Sequence, residues 1–344
     1  MNLPRINIRY VRPLLAVIAA AVFMGALILG LALFKDEPAA ALPNALWLGE
    51  EWTHTARDDA DVAILTERLR DFQIGTVYAW VSWLQPDNIW AGGRDTAGTF
   101  TAVEPQVQTF ARQFKAAYPD AMLYGWLRVP VGLGDDYRLD DEALIASVTA
   151  FGAQLVNRLG FDGVFLEVGP VLDGDTHFVT LLQRLRSSIG PRAALAAALP
   201  PDWTPTEAAI PKPALLAEGL AWSTEYKQRV ALLVDQVVVQ AYNSYLDNPA
   251  DYVDWMAYQV TQYALAVDAL DSSTEVVISL PVYAASLPAH NTAVENLNTA
   301  INGVRRGLSD AGSAAAVITG VALYADWDMD ADAWSLYRSA WINR

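Results

Sequence analysis

The sequence predicts an α/β protein, a single (β/α)8 TIM barrel preceded by one N-terminal transmembrane helix. Three observations support this prediction. Short apolar, β-branched stretches alternate eight times with amphipathic stretches between residues 45 and 344, and strict alternation is typical of parallel strands with helical crossovers. No glycine-rich phosphate loop follows the first strand, which favours a barrel over a doubly wound open sheet. A long apolar run precedes all eight units.

Each of the first four units pairs a short strand with an amphipathic helix. Their predicted strands are 45–52, 76–83, 122–129 and 163–168, and their helices are 60–72, 105–118, 141–159 and 176–189. Asp140 and Asp175 are expected to cap the last two of these helices, because a carboxylate can accept bonds from free backbone N–H groups. The second four units have strands at 193–199, 236–242, 275–283 and 318–324, with helical segments ending near 233 and at 249–270, 292–311 and 331–341.

The N-terminal region is predicted to anchor the protein in a membrane. Residues 13–34 are apolar throughout and are long enough to cross a bilayer as a helix. Residues 1–12 carry three arginines, so this basic segment is expected in the cytoplasm, with a linker at 35–44 and the barrel domain, 45–344, outside. The predicted location is therefore the cell membrane, in a single pass. Three alanines at 39–41 keep a cleavable signal peptide open as the alternative.

Composition excludes several functional classes. The net charge of −16 disfavours nucleic acid and anionic membrane surfaces as partners, because both are polyanions. The chain has no cysteine, which rules out disulfides, thiolate metal sites and cysteine nucleophiles. Its three histidines show no metal-ligand spacing. We therefore expect neither a metal nor another cofactor.

Aromatic and polar residues gather where the predicted strands end. In a parallel barrel those carboxyl ends and the loops after them form the site. Stacking rings combined with a few carboxylates and amides are typical of sugar binding, although packing in the core is the alternative for any single aromatic residue. The candidates at these positions are Glu50, Trp52, Trp80, Trp83, Arg128, Glu167, Tyr242, Asn243, Tyr283, Asp326 and Trp327.

The stretch from 160 to 175, G-F-D-G-V-F-L-E-V-G-P-V-L-D-G-D, resembles the fourth strand of glycoside hydrolase family 18, the chitinases and their relatives. That family's signature is D-G-x-D-x-D-x-E. Asp162 and Gly163 match it, while Phe165 and Glu167 replace its second and third aspartates, and Gly169 replaces its catalytic glutamate. The resemblance implies the barrel fold, adds Asp162 to the substrate-binding candidates, and indicates that the family's general acid is missing.

Two further segments resemble the same family. V-V-V-Q-A-Y-N ends at Asn243 and is similar to a sixth-strand M-x-Y-D pattern whose tyrosine contacts the sugar's N-acetyl group. Tyr242 matches that tyrosine, and Asn243 replaces the aspartate. G-V-A-L-Y-A-D-W ends at Trp327 and is similar to the eighth strand, where a tryptophan forms the floor of a sugar subsite. The resemblance implies that Tyr242 and Trp327 contact carbohydrate.

Glu167 cannot simply replace the missing acid. Two strand residues rise by about 6.6 Å, so Glu167 starts that much deeper in the barrel than position 169. A different carboxyl pair could still act, because glycoside hydrolysis needs two carboxyl groups at a suitable separation. Glu167 with Asp326 is the predicted catalytic pair, and Glu50 or Glu51 remains open as the partner.

Three functions are therefore compatible with the sequence. The first is a membrane-anchored, extracytoplasmic barrel that binds and hydrolyses a polysaccharide or cell-wall glycan, with Glu167 central. The second is a barrel of the same kind that binds carbohydrate without catalysis, because Gly169 occupies the acid position. The third is a surface scaffold whose acidic face binds a protein partner.

Overall fold

The computed structural model describes residues 43–94, 98–202, 219–285 and 287–343. The predicted cytoplasmic segment 1–12, the predicted membrane anchor 13–34 and the linker up to residue 42 lie outside the described residues. Within the described ranges, no helix has both the length and the apolarity needed to cross a bilayer.

Eight parallel strands form one closed barrel, in which each strand pairs with the next along the chain and the last pairs with the first. The predicted (β/α)8 architecture is confirmed. The strands are β1 Asn44–Leu48, β2 Ile74–Trp83, β3 Met122–Pro130, β4 Gly163–Gly169, β5 Ala194–Leu199, β6 Gln236–Val239, β7 Glu275–Pro281 and β8 Ile318–Tyr324.

Helices cover the outside of the barrel. Side-chain caps start several of them: Asp175 accepts from two backbone N–H groups of its helix, as predicted, whereas Asp141 and not Asp140 caps the helix before β4. The helices are α1 Glu50–Thr53, α2 Asp59–Asp71, α3 Glu104–Ala117, α4 Glu142–Gln154, α5 Thr176–Ile189, α6 Thr224–Ala231, α7 Pro249–Asp268, α8 Leu297–Ala311 and α9 Ala331–Tyr337.

Aromatic rings fill the interior of the barrel below its mouth. Alternate residues of each strand point inward because strand side chains have a period of two. The Trp47 ring lies 4.7 Å from Trp126 and 4.6 Å from Phe165, both edge to face, and Tyr78 stacks on Phe165 at 4.3 Å. All four rings are buried. They form a solid floor under the carboxyl ends of the strands.

Three strands end earlier than their sequence patterns predict. β1 stops at Leu48, and the chain turns at Gly49 into the short helix α1. β6 stops at Val239 instead of 242, and β7 at Pro281 instead of 283. Directly after β6 the Ala241 N–H donates to the Val239 carbonyl and the Tyr242 N–H to the Gln240 carbonyl, so the chain turns out of the sheet before it reaches Asn243, where φ is 58°.

Candidate functional site

A pocket of about 330 Å³ opens at the mouth on the side of β2, β3 and β8. Three tryptophans and a tyrosine supply most of its wall, and two arginines supply its charge. Strand pairing brings these side chains together, since Trp80 lies opposite Trp126 and Trp83 lies opposite Arg128. The described residues that line the pocket are Trp80, Trp83, Arg94, Trp126, Arg128, Pro130 and Tyr324.

Arg94 lies in the loop after β2 and packs among indole rings. Its guanidinium carbon is 3.8 Å from the Trp327 ring centroid, 5.0 Å from that of Trp80 and 5.6 Å from that of Trp126. Its backbone N–H donates to Glu50 Oε2 at 2.7 Å. Cation–π contacts of this kind hold a guanidinium in one place without consuming its N–H donors.

Glu167 points into the barrel from β4, and its hydrogen-bond and ion-pair partners among the described residues are all donors. Its carboxylate accepts from Trp126 Nε1 at 2.9 Å and from Gln240 Nε2 at 3.5 Å. The Nε atom of Arg128, its partner in register on β3, lies 3.8 Å from Glu167 Oε1. About a fifth of the Glu167 side chain is exposed. The arrangement holds Glu167 as a fixed hydrogen-bond acceptor at the centre of the mouth.

Asp326 lies just after β8, in a separate group of contacts. It accepts from Trp52 Nε1 at 3.0 Å, and Arg68 Nη2 is 3.6 Å away. Burial raises the pKa of Asp326, although Arg68 and the Trp52 bond oppose the shift. Burial also raises the pKa of the neighbouring Glu51. Burial therefore makes both carboxyl groups easier to protonate than in water.

The two predicted catalytic carboxylates do not share a hydrogen-bond partner among the described residues. Glu167 accepts hydrogen bonds from a residue of β3 and from the residue that follows β6. Asp326 accepts one from a residue of α1 and pairs with an arginine of α2. Glu50 and Trp52 belong to α1 and not to a strand, yet both contact mouth residues: Glu50 binds the Arg94 backbone and Trp52 binds Asp326. The carboxylates of the mouth therefore belong to two separate sets of contacts, one around Glu167 and one around Asp326.

Gly169 lies beside a second cavity of about 230 Å³. A Cβ built on Gly169 would meet no heavy atom within 4 Å. The space next to Gly169, which the resemblance aligns with the catalytic glutamate of family 18, is therefore open in this chain. This second cavity is lined by Val168, Gly169, Pro170, Val171, Ala198, Pro200, Pro201, Leu220, Trp222, Gln240, Tyr242, Asn243 and Tyr245.

Tyrosines separate the two cavities. Tyr242 stacks on Tyr324 with ring centroids 4.8 Å apart, and burial raises the pKa of Tyr242 well above its usual value and that of Tyr324 to about 12. Tyr283 donates its hydroxyl to Asn243 Oδ1 at 2.7 Å, and the Asn243 backbone N–H donates to the buried Glu295. Tyr242 and Asn243 line the second cavity, while Tyr283 supports Asn243.

Asp162 is far from this mouth in the fold, at the amino end of β4. Its Oδ2 accepts from Lys115 Nζ and from the backbone N–H of Leu123, both at 2.8 Å. These bonds link α3 to the starts of β3 and β4. The structure therefore does not bring Asp162 together with the other candidate substrate-binding residues.

Sequence reasoning missed three residues of the mouth. Trp126 was detectable, because it stands two positions before Arg128 on β3 and so faces inward with it. Gln240 follows the last residue of β6 and needed the strand end to be placed correctly. Arg94 lies in a loop, and no pattern in the sequence indicates that it packs among tryptophans from three different segments.

The described residues hold no group of three His, Cys, Asp or Glu side chains arranged to bind a metal ion. The expectation that the protein works without a metal or cofactor stays a prediction.

Comparison with solved structures confirms the predicted resemblance to family 18 chitinases at the level of fold. A chitinase from Chromobacterium violaceum ATCC 12472 has a TM-score of 0.56 at 11% identity, covering 89% of this chain and 100% of that one. The Bacillus cereus spore cortex-lytic enzyme SleL has a TM-score of 0.53 at 9% identity, covering 86% and 73%.

A mutant GH18 chitinase from Cycas revoluta, in complex with (GlcNAc)4, has a TM-score of 0.52 at 14% identity, covering 87% of this chain and 99% of that one. No protein-family model and no curated protein matches the sequence. Identities this low show a shared fold, so the function has to be argued from the site.

Proposed function

We propose that the protein is a glycan-binding barrel, anchored in the cell membrane by residues 13–34, with its N-terminus in the cytoplasm and its barrel outside. The observation that carries the binding proposal is the pocket of Trp80, Trp83, Trp126 and Tyr324 at the carboxyl ends of the strands. Flat apolar rings beside fixed polar groups suit the C–H faces and hydroxyls of pyranose sugars. The fold shared with chitinases supports the same ligand class.

Binding without family-type hydrolysis fits the mouth best. Gly169 leaves the acid position empty, and Glu167 is surrounded by donors. In this role Glu167 accepts hydrogen bonds from sugar hydroxyls and keeps Trp126 in its orientation. The tryptophan rings supply most of the affinity, and the barrel displays the glycan at the cell surface.

Hydrolysis by Glu167 with Asp326 is the second candidate. The observation that favours it is the raised pKa of the buried Asp326, since a carboxyl group that holds its proton can act as a general acid while a second carboxylate stays ionised. This candidate requires a substrate that contacts both carboxylates, which are held by different elements.

A binding and turnover assay on the purified full chain separates the two candidates. We expect tryptophan fluorescence to shift on addition of β-linked oligosaccharides, with no product formed, and we expect Glu167→Gln to keep binding within about threefold, because an amide oxygen still accepts a hydrogen bond. Turnover that Glu167→Gln abolishes would establish a hydrolase. Absence of any glycan binding would contradict the proposal and favour the protein scaffold.

Gly169→Glu gives a second separation of the two candidates. The open space at this position accepts the side chain, so the variant should fold normally. We expect no chitin hydrolysis from it, because Phe165 still replaces another acidic position of the motif. Gain of chitinase activity would instead identify a barrel that lost catalysis by this one change.

The membrane proposal is tested by fractionation. We expect the full chain to stay with membranes in alkaline carbonate, because a spanning apolar helix is retained by the bilayer. A variant that lacks residues 13–34 should become soluble, and release of the unaltered chain by carbonate would contradict the anchor.

A further inference from the structure

The pocket on the β2, β3 and β8 side differs in charge from the chain as a whole. The protein carries a net charge of −16, but the described residues that line this pocket include two arginines and no carboxylate. The nearby carboxylates accept hydrogen bonds from protein donors: Glu167 from Trp126 and Gln240, and Glu50 from the Arg94 backbone. The side chains that line the pocket therefore present cationic donors on an otherwise anionic protein.

Both arginines have donors to spare. The Arg94 Nη2 atom is buried and has no hydrogen-bond acceptor among the described residues, and its guanidinium is held in the pocket wall by Trp80, Trp126 and Trp327. A buried donor without an acceptor is unfavourable, and an oxygen that enters the pocket can satisfy it.

Arg128 is the more accessible of the two, with 58% of its side chain exposed. The ion pair it makes with Glu167 is long, at 3.8 Å, and involves only its Nε atom. Its terminal nitrogens are therefore available to a ligand. A guanidinium presents its N–H groups in a planar fork that matches the two oxygens of a carboxylate.

We propose that this pocket recognises a sugar that carries a carboxylate, such as a hexuronic acid, through Arg94 and Arg128. The inference rests on the proposed glycan binding and names its ligand class. The partly exposed Trp83 would stack against the sugar ring, while the arginines contact its carboxylate.

Matched oligosaccharides test the proposal. Tetrasaccharides of hyaluronan, alginate and polygalacturonate are compared with the same compounds after reduction of each carboxylate to a primary alcohol, by calorimetry on the full chain. We expect at least one acidic form to bind about tenfold or more tightly than its reduced form, as charge-assisted bonds to arginine allow. We expect added salt to reduce this preference.

Variants assign the preference to the two arginines. Arg128→Gln should remove most of the preference by weakening the acidic form much more than the reduced form. Arg94→Lys should retain part of the preference, because lysine keeps the charge but loses the fork. Arg184→Gln is the matched control: this arginine is 48% exposed and pairs with Glu142 on the outer helices. Thermal melts verify that each variant is folded.

The possible failures are distinguishable. Equal affinity for acidic and reduced forms, or equal weakening of both by Arg128→Gln, overturns the inference and leaves glycan binding intact. Tighter binding of sulfated oligosaccharides than of carboxylated ones overturns the choice of carboxylate. If no oligosaccharide of the series or of the neutral β-linked panel binds, the proposed function fails as well.

Discussion

The two ends of β4 contrast in how closely they resemble the family 18 motif. At the amino end, Asp162 and Gly163 match the motif and hold the barrel together: Asp162 binds Lys115 and the Leu123 backbone, and Gly163 lies where a Cβ would be 2.3 Å from the Ala194 carbonyl oxygen. Toward the carboxyl end, Phe165, Glu167 and Gly169 stand where the motif has acidic residues, and of these three only Glu167 is acidic. The resemblance to the motif therefore holds at the end that supports folding and fails at the end that faces the mouth.

Phe165 shows the physical basis of this difference from the motif. This residue replaces the motif's second aspartate, is fully buried and packs against Trp47 and Tyr78. A carboxylate among these rings would have to be desolvated without a partner, at a cost of several kcal/mol. The interior of this barrel is therefore packed with aromatic rings, and a row of acidic side chains along β4 would be unfavourable there.

The largest expected effect is a difference in stability between two variants that each add one methyl group, one at either end of β4. Gly163→Ala forces its Cβ against the backbone of β5 and should destabilise the protein by about 3 kcal/mol. Gly169→Ala, the matched control, adds the same group in open space and should change stability by less than about 0.5 kcal/mol. Urea denaturation measures both. Equal losses would remove the contrast between the ends.

A smaller effect is expected from Asp162→Ala. The change leaves Lys115 and the Leu123 N–H without a shared acceptor and should cost about 1–2 kcal/mol, with glycan affinity unchanged. Exposed Asp120→Ala on the same surface is the control for charge. Weaker glycan binding in a fully folded Asp162→Ala variant would restore the substrate-binding role that the sequence suggested for this residue.

The smallest effect concerns pH and the carboxylate of Asp326 at the mouth. Because burial raises its folded-state pKa, Asp326 stabilises the fold at pH values below its unfolded pKa, and this contribution is lost as pH rises through the folded pKa. The free energy of unfolding of the natural protein minus that of Asp326→Asn should therefore fall between pH 4 and 7. A difference that stays constant or rises would mean that Arg68 and Trp52 outweigh the burial.

The sequence predicts what depends on local periodicity. All eight strands were located, and the inward orientation of Glu167 follows from its spacing of two from Phe165, since both side chains share a face. Strand ends were predicted less well. The runs through Trp52 and Tyr242 look like strand, but the chain turns into α1 at Gly49. Asn243 has a positive φ and donates its backbone N–H to Glu295, which is distant in sequence.

Contacts between loops of different β/α units could not be predicted either, because they join residues that are distant in sequence. Nothing local to Arg94 specifies that it lies over Trp327, and nothing local to Asp326 specifies that Trp52 and Arg68, not Glu167, are its partners. These pairings depend on the angular position of each loop around the barrel axis, which only closure of the whole sheet determines.

The aromatic floor formed by Trp47, Tyr78, Trp126 and Phe165 restricts how a polymer can approach. It closes the barrel axis, so a chain cannot thread through and has to enter and leave on the same side. In the proposed glycan binding, a long polymer therefore lies across the mouth, with the sugars on either side of the bound unit running outward. Interior units of a polymer are then as accessible to the mouth as its ends, and many barrels could occupy one polymer at once.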